Sequence, residues 1–142
     1  MPAVKGRGGA RRKPVAKHLD FHIVKRVHHV DPYERSWHEY LAFRGEVLVG
    51  RVSSFEVPPG SKECWINDLW VEKRHRKAGL GKELLKITID NARSQGYERV
   101  MAELTPYDGT PLAAIERLCR DQGFDIVAEW EGAQKPVALL VL

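Results

Sequence analysis

The sequence predicts an α+β domain in which a central mixed, mostly antiparallel sheet of about six to seven strands carries two main helices. Three observations predict it. Short apolar stretches with period-two alternation fill the first half of the chain and recur near its end, which is strand patterning. Residues 69 to 85, LWVEKRHRKAGLGKELL, run an apolar strand into a glycine turn and the turn into an amphipathic helix. A second helical pattern stops at Gly123-Phe124, and a last pair of apolar runs follows it.

The first 17 residues, MPAVKGRGGARRKPVAK, hold Lys5, Arg7, Arg11, Arg12, Lys13 and Lys17 and no acid. With glycine, proline and like charges and almost nothing to bury, they cannot offset the entropy of ordering and read as a disordered basic arm, leaving 18 to 142 as one domain. The net charge of +4 is therefore the arm's, because the rest of the chain carries 17 basic against 19 acidic residues. The domain itself offers no electrostatic case for nucleic acid, and any such contact would fall to the arm. No run approaches the length of a membrane span, and no apolar leader opens the chain. Cys64 and Cys119 form neither a CxxC pair nor a disulfide framework, which suits a reducing compartment. A soluble, cytoplasmic protein is expected.

Taken in order, Leu19, Phe21, Ile23 and Val27 alternate along a first strand, 19 to 30, ended by His28 and His29. Adjacent strand residues face opposite ways, so this histidine pair does not chelate one ion, and no metal site is expected. The segment 31 to 36, DPYERS, is a short turn. A hairpin follows, 38 to 43 with 47 to 57 about Arg44-Gly45-Glu46, closed by Pro58-Pro59-Gly60. Residues 64 to 71, CWINDLWV, are apolar on both parities except at Asn67 and Asp68, as in a central strand covered on both faces. The helix 79 to 95 buries Leu80, Leu84, Leu85, Ile87, Thr88 and Ala92, and Gly96 stops it. Strand 98 to 105 and the turn 106 to 110 lead to a helix opened by Pro111, with Leu112, Ile115, Leu118 and Cys119 on its apolar face. The runs 124 to 130 and 137 to 142 pair across 131 to 135.

The glycine turn is the functional centre. A helix start leaves its first N–H groups without partners, and with the helix dipole and Arg74, Arg76, Lys77 and Lys82 nearby it makes an anion site suited to a phosphate or pyrophosphate. Spacing excludes two known designs. A P-loop needs glycine where Arg76 stands and Ser or Thr where Glu83 stands; a dinucleotide fingerprint needs glycine where Leu84 stands. The pattern that fits is Arg/Gln-x-x-Gly-x-Gly/Ala after a strand ending in Leu-x-Val, met by Arg76, Gly79 and Gly81 behind Leu69 and Val71. This resembles the acetyl-CoA motif of the GCN5-related N-acetyltransferase (GNAT) superfamily. The hairpin YLAFRGEVLVGRVSSF, with Gly50 after its apolar run, also resembles that family's second and third strands.

The resemblance implies an α/β three-layer arrangement, with one departure. The family places one or two helices between its first and second strands, where they wall the acceptor site, and between Val30 and Trp37 there is room for barely one turn. A reduced member is implied, with an open acceptor side or a wall supplied by a partner chain, as in a homodimer. The resemblance further implies direct transfer of acetyl from acetyl-CoA to a protein, peptide or small amine within a ternary complex. The pyrophosphate would rest on N–H groups of Lys77, Ala78, Gly79, Leu80, Gly81 and Lys82, with Arg76 adding charge and the glycines permitting close approach. The backbone of Leu69, Trp70 and Val71, where the family's strand splays, would flank the pantetheine arm and polarise the thioester carbonyl.

Proton handling is less clearly marked. A lysine-like amine, with a pKa of about 10.4, must lose a proton before it attacks. Many protein-modifying members carry Glu fourteen residues before the first motif glycine, a position that is Trp65 here. Asn67 could instead orient a water, with Glu56, Glu63 or Glu103 at the far end of a water chain. Asp68, mid-strand, is either a carboxylate whose pKa burial raises or one satisfied by backbone. The family's tyrosine four residues before Gly-Phe is replaced by Cys119, which is either a thiol acid or a core residue, and Tyr107 is the substitute acid. Two other function classes stay open: an acyl-CoA-binding module without catalysis, and a nucleic-acid accessory factor that uses the arm.

Overall fold

The computed structural model of the chain describes residues 21 to 30, 35 to 105 and 110 to 142. The arm at 1 to 17, the start of the first expected strand at Leu19, and Tyr107 lie outside those residues. The described chain runs β1 (His22–Val30), β2 (Arg35–Arg44), β3 (Val47–Glu56), β4 (Glu63–Ile66), β5 (Trp70–Val71), a 3₁₀ helix (Lys73–Ala78), α1 (Leu80–Ser94), β6 (Arg99–Glu103), α2 (Leu112–Asp121), β7 (Asp125–Val127) and β8 (Val137–Val141).

All eight strands form one sheet in the order β1-β2-β3-β4-β6-β8-β7, with β5 beside β3. Pairing is antiparallel except between β4 and β6, which are parallel because α1 carries the chain back between them. The expected α+β class and mixed sheet therefore stand, with one strand more than expected. The apolar run 64 to 71 is two strands, since Asn67, Asp68 and Leu69 belong to neither β4 nor β5. At the other end, β2 begins at Arg35, inside the expected turn, and His28 and His29 lie within β1. Polar residues on both parities hid that extension from the alternation pattern.

Both described helices cover one face of the sheet. Leu85, Ile89 and Ala92 of α1 and Cys119 of α2 share a core with Cys64, Val100, Ala138 and Leu140, while Leu80 and Leu84 close a second cluster over Tyr40, Ala42, Val49 and Val52. Gly50 lets α1 press on β3: a Cβ there would lie 3.1 Å from Leu80 and 3.2 Å from Leu84. The described residues thus make two layers of the three the resemblance implied. The opposite face carries one register row across the sheet, His28, Trp37, Phe55, Trp65, Met101 and Leu139. Strands β1 and β2 pair up to Val30 and Arg35, so residues 31 to 34 join them.

Candidate functional site

Strand β3 holds the whole segment 64 to 72. It pairs with β4 from Cys64 to Ile66 and with Trp70 and Val71 of β5, and its Ser53 and Val49 carbonyls accept the N–H groups of Asn67 and Glu72, each at 2.8 Å. On its other side the segment meets β6 only through β4, up to Ala102 opposite Ile66, and beyond that β6 stays paired with β8 alone, with Leu104 N–H on the Pro136 carbonyl at 2.8 Å. A wedge therefore opens between Asn67–Val71 and the end of β6. Along a strand successive N–H groups alternate sides, so with Glu72 N–H committed to β3, that of Val71 faces the wedge.

The glycine turn stands at the wide end of this wedge. Glu72 caps the 3₁₀ helix, accepting Arg74 N–H at 3.0 Å and bonding the His75 ring, and its carboxyl is held below the usual range by the His75 hydrogen bond first and then by Arg74. The sequence marks this cap only by the spacing of Glu72 and His75. Gly79 has φ +83°, a left-handed conformation that ends the 3₁₀ helix and starts α1 with no side-chain cap. The N–H groups of Leu80, Gly81 and Lys82 precede Glu83, whose N–H bonds the Gly79 carbonyl at 3.1 Å. They form the uncapped helix start. A Cβ on Gly81 would lie 3.6 Å from Val71 and 3.7 Å from Leu118, so the helix start looks between β5 and α2. Of the basic residues around it, Arg74 pairs with Glu72, and Arg76 Nε donates to the Val71 carbonyl at 3.1 Å, tying the turn to the wedge.

Residues 12 to 124 match the family model described as the Acetyltransferase (GNAT) family. The chain belongs to this family. Among relatives, N-acetyltransferase 8B from Rattus norvegicus is 36% identical over 67 residues, which are 45% of this chain and 30% of the relative. Probable N-acetyltransferase family 8 member 5 from Mus musculus is 29% identical over 82 residues, 56% of this chain and 36% of the relative. The chain spans about a third of the length of these two relatives. An acetyltransferase structure from Thermus thermophilus superposes with a TM-score of 0.62 at 22% identity, covering 80% of this chain and 67% of that one. The PaiA N-acetyltransferase of Thermoplasma acidophilum, solved with coenzyme A, gives 0.58 at 12% identity over 73% of this chain and 60% of its own. These two likenesses show the fold.

The remaining site residues of this GNAT chain fall in different places. Leu69, Trp70 and Val71 line the wedge with half-buried side chains. Asn67 is exposed at its neck. Asp68 is not a buried mid-strand acid: it lies in the gap between β4 and β5, half-exposed, with Arg51 at 3.3 Å. Cys119 sits in the core at 3% exposure, and burial pushes its thiol up to about 11, so the geometry favours its packing role. The carboxylates considered for a water chain are committed elsewhere: Glu56 accepts from Lys62 N–H, Glu63 pairs with Arg99 at 2.8 Å, and Glu103 accepts from Gln134 and Lys135 N–H. Trp65 packs edge-on to Trp130 with ring centres 6.4 Å apart.

Proposed function

We propose that this GNAT chain is an N-acetyltransferase that passes the acetyl group of acetyl-CoA to an amine within a ternary complex. One observation carries the reading: the wedge between β5 and β6 ends at an uncapped helix start whose glycines leave its backbone approachable. A diphosphate suits this place, because the N–H groups of a helix start without a side-chain cap meet a basic loop there. In this reading Leu80, Gly81 and Lys82 hold the diphosphate by backbone N–H, while Lys77, Ala78 and Gly79 shape the approach and Arg76 fixes the loop to Val71. Leu69, Trp70 and Val71 offer backbone to the pantetheine arm, and the Val71 N–H is placed to donate to a developing oxyanion. When bound, acetyl-CoA supplies an acetyl group activated as a thioester.

Proton handling in this reading falls to Asn67, which orients a water at the neck, and to Tyr107, the candidate acid; Asp68 acts with Arg51 at the rim. The sheet face without described helices favours a broad acceptor, a peptide or protein amine, with a second copy of the chain as one way to wall it. A cytoplasmic setting belongs to the same reading; no helix among the described residues is long and apolar enough to cross a membrane.

Two measurements test it. Native mass spectrometry should show one acetyl-CoA retained per chain, and a mixed amine panel should release free thiol. Retention without thiol release would favour the acyl-CoA-binding module, and no retention would overturn both. Nucleic-acid affinity that disappears with residues 1 to 17 would assign that property to the arm.

A further inference from the structure

We propose that Glu39 takes the proton the acceptor amine gives up, reached through a water and the Ser53 hydroxyl; this rests on the acetyltransfer reading above. Glu39 is the one buried carboxylate among the described residues, at 8% exposure. It stands on β2, on the face away from the helices, with Arg26 of β1 and Ser53 of β3 as register partners. Its Oε1 lies 3.3 Å from His28 Nε2 and 3.7 Å from Arg26 Nε. A carboxylate offers about four acceptor positions. Both of these partners come from β1, which leaves the β3 side to Ser53.

Ser53 is 1% exposed, and its Oγ is buried without a hydrogen-bond partner. Its carbonyl accepts Asn67 N–H at the neck, where β6 parts from β4. Neighbouring strands are about 4.8 Å apart. Glu39 therefore lies two strands from the neck, a span that one water and one hydroxyl bridge in hydrogen-bond contact. Among the described residues, the other charges near the pair are Arg51, one row along β3, and the Asp68 it holds.

In the step, an N–H bond of the acceptor ammonium breaks and its proton moves to Ser53 Oγ. Ser53 passes its own proton to the bridging water, and the water passes one to Glu39, where an O–H bond forms. The nitrogen keeps the electron pair with which it attacks the acetyl carbon. A second proton shed by the nitrogen goes to the departing sulfur, so one proton per turnover leaves by Glu39, with His28 on edge strand β1 leading to solvent.

Glu39→Gln keeps the shape and a hydrogen bond to His28 but cannot take the proton. It should lower kcat roughly tenfold to a hundredfold and move the rise of kcat with pH to higher pH, with melting temperature and acetyl-CoA affinity unchanged. Ser53→Ala should act in the same direction and serves if the glutamine variant fails to fold. A crystal structure of the free chain should hold a water within hydrogen-bond distance of both Ser53 Oγ and the Glu39 carboxylate. Wild-type kcat and pH profile in the folded variants, or a Ser53 hydroxyl turned to backbone with no water beside it, overturns the relay and leaves acetyl transfer standing. A chain that retains no acetyl-CoA, or turns over no amine, overturns the parent reading and the relay with it.

Discussion

Replacing Gly81 by valine separates a glycine kept for its ligand from one kept for packing. A Cβ at this position makes only ordinary contacts, 3.6 Å to Val71 and 3.7 Å to Leu118, both with the ends of flexible side chains. Gly81 lies in the first turn of α1, where alanine is worth up to about 1 kcal/mol over glycine and valine less than half of that gain. The Gly81→Ala variant should therefore melt about 2 to 4 °C higher than wild type. Gly81→Val should stay within about 1 kcal/mol of wild type, its branch displacing Leu118 slightly. In the proposed complex, however, the branch would crowd the helix N–H groups that hold the diphosphate. Losing one charge-assisted hydrogen bond costs about 1.5–3 kcal/mol. That is roughly a ten- to hundredfold weaker binding of acetyl-CoA. Thermal unfolding gives the first quantity and calorimetric titration the second. Wild-type affinity in Gly81→Val, or a stability loss as large as its affinity loss, would refute the argument. Gly79 cannot serve, because at φ +83° any side chain adds about 1–2 kcal/mol of backbone strain and lowers stability and affinity together.

Gly50→Ala should be destabilising by about 1–3 kcal/mol, since its Cβ would stand 3.1–3.3 Å from Leu80, Leu84 and the Trp70 carbonyl; a wild-type melting curve would show that α1 does not press there. Burial pushes Cys64 and Cys119 up to about 11 from 9.0, so an aromatic disulfide reagent at pH 8 should label neither until the chain unfolds. The unfolded chain loses these thiol protons first, so their contribution is full below pH 9.0 and falls away towards about pH 11, which alkaline melting curves would register. The Glu72 carboxyl is depressed in the folded state, so what it adds is present above 4.5 and lost as the pH falls through its lowered value. Glu72→Gln should flatten that acid limb in melting curves taken across acid pH, and an unchanged limb would remove Glu72 from the loop's support.

How far the sequence reached is visible in particular residues. Period-two and helical patterns located the hairpin, both helices and the last strand pair, because burying one face imposes those periods locally. The motif glycines were legible for a similar reason: a left-handed turn and an uncapped helix start are needs of the chain's own backbone. The split of 64 to 71 into β4 and β5 was not legible, since both halves are apolar and only the competition of β3 and β6 for one segment decides where pairing stops. Cys119 and Asp68 carry the same letters whether active or structural; a shared core favours packing for the first, and an Arg51 partner places the second at the rim. Glu39, His28 and Ser53 lie 11 and 14 residues from one another along the chain and meet only through strand register. The sequence by itself therefore determined the elements and the glycine turn, which follow from interactions between near neighbours. The wedge and the buried carboxylate row beside it were decided by tertiary structure alone, because pairing across strands couples residues that no local period relates.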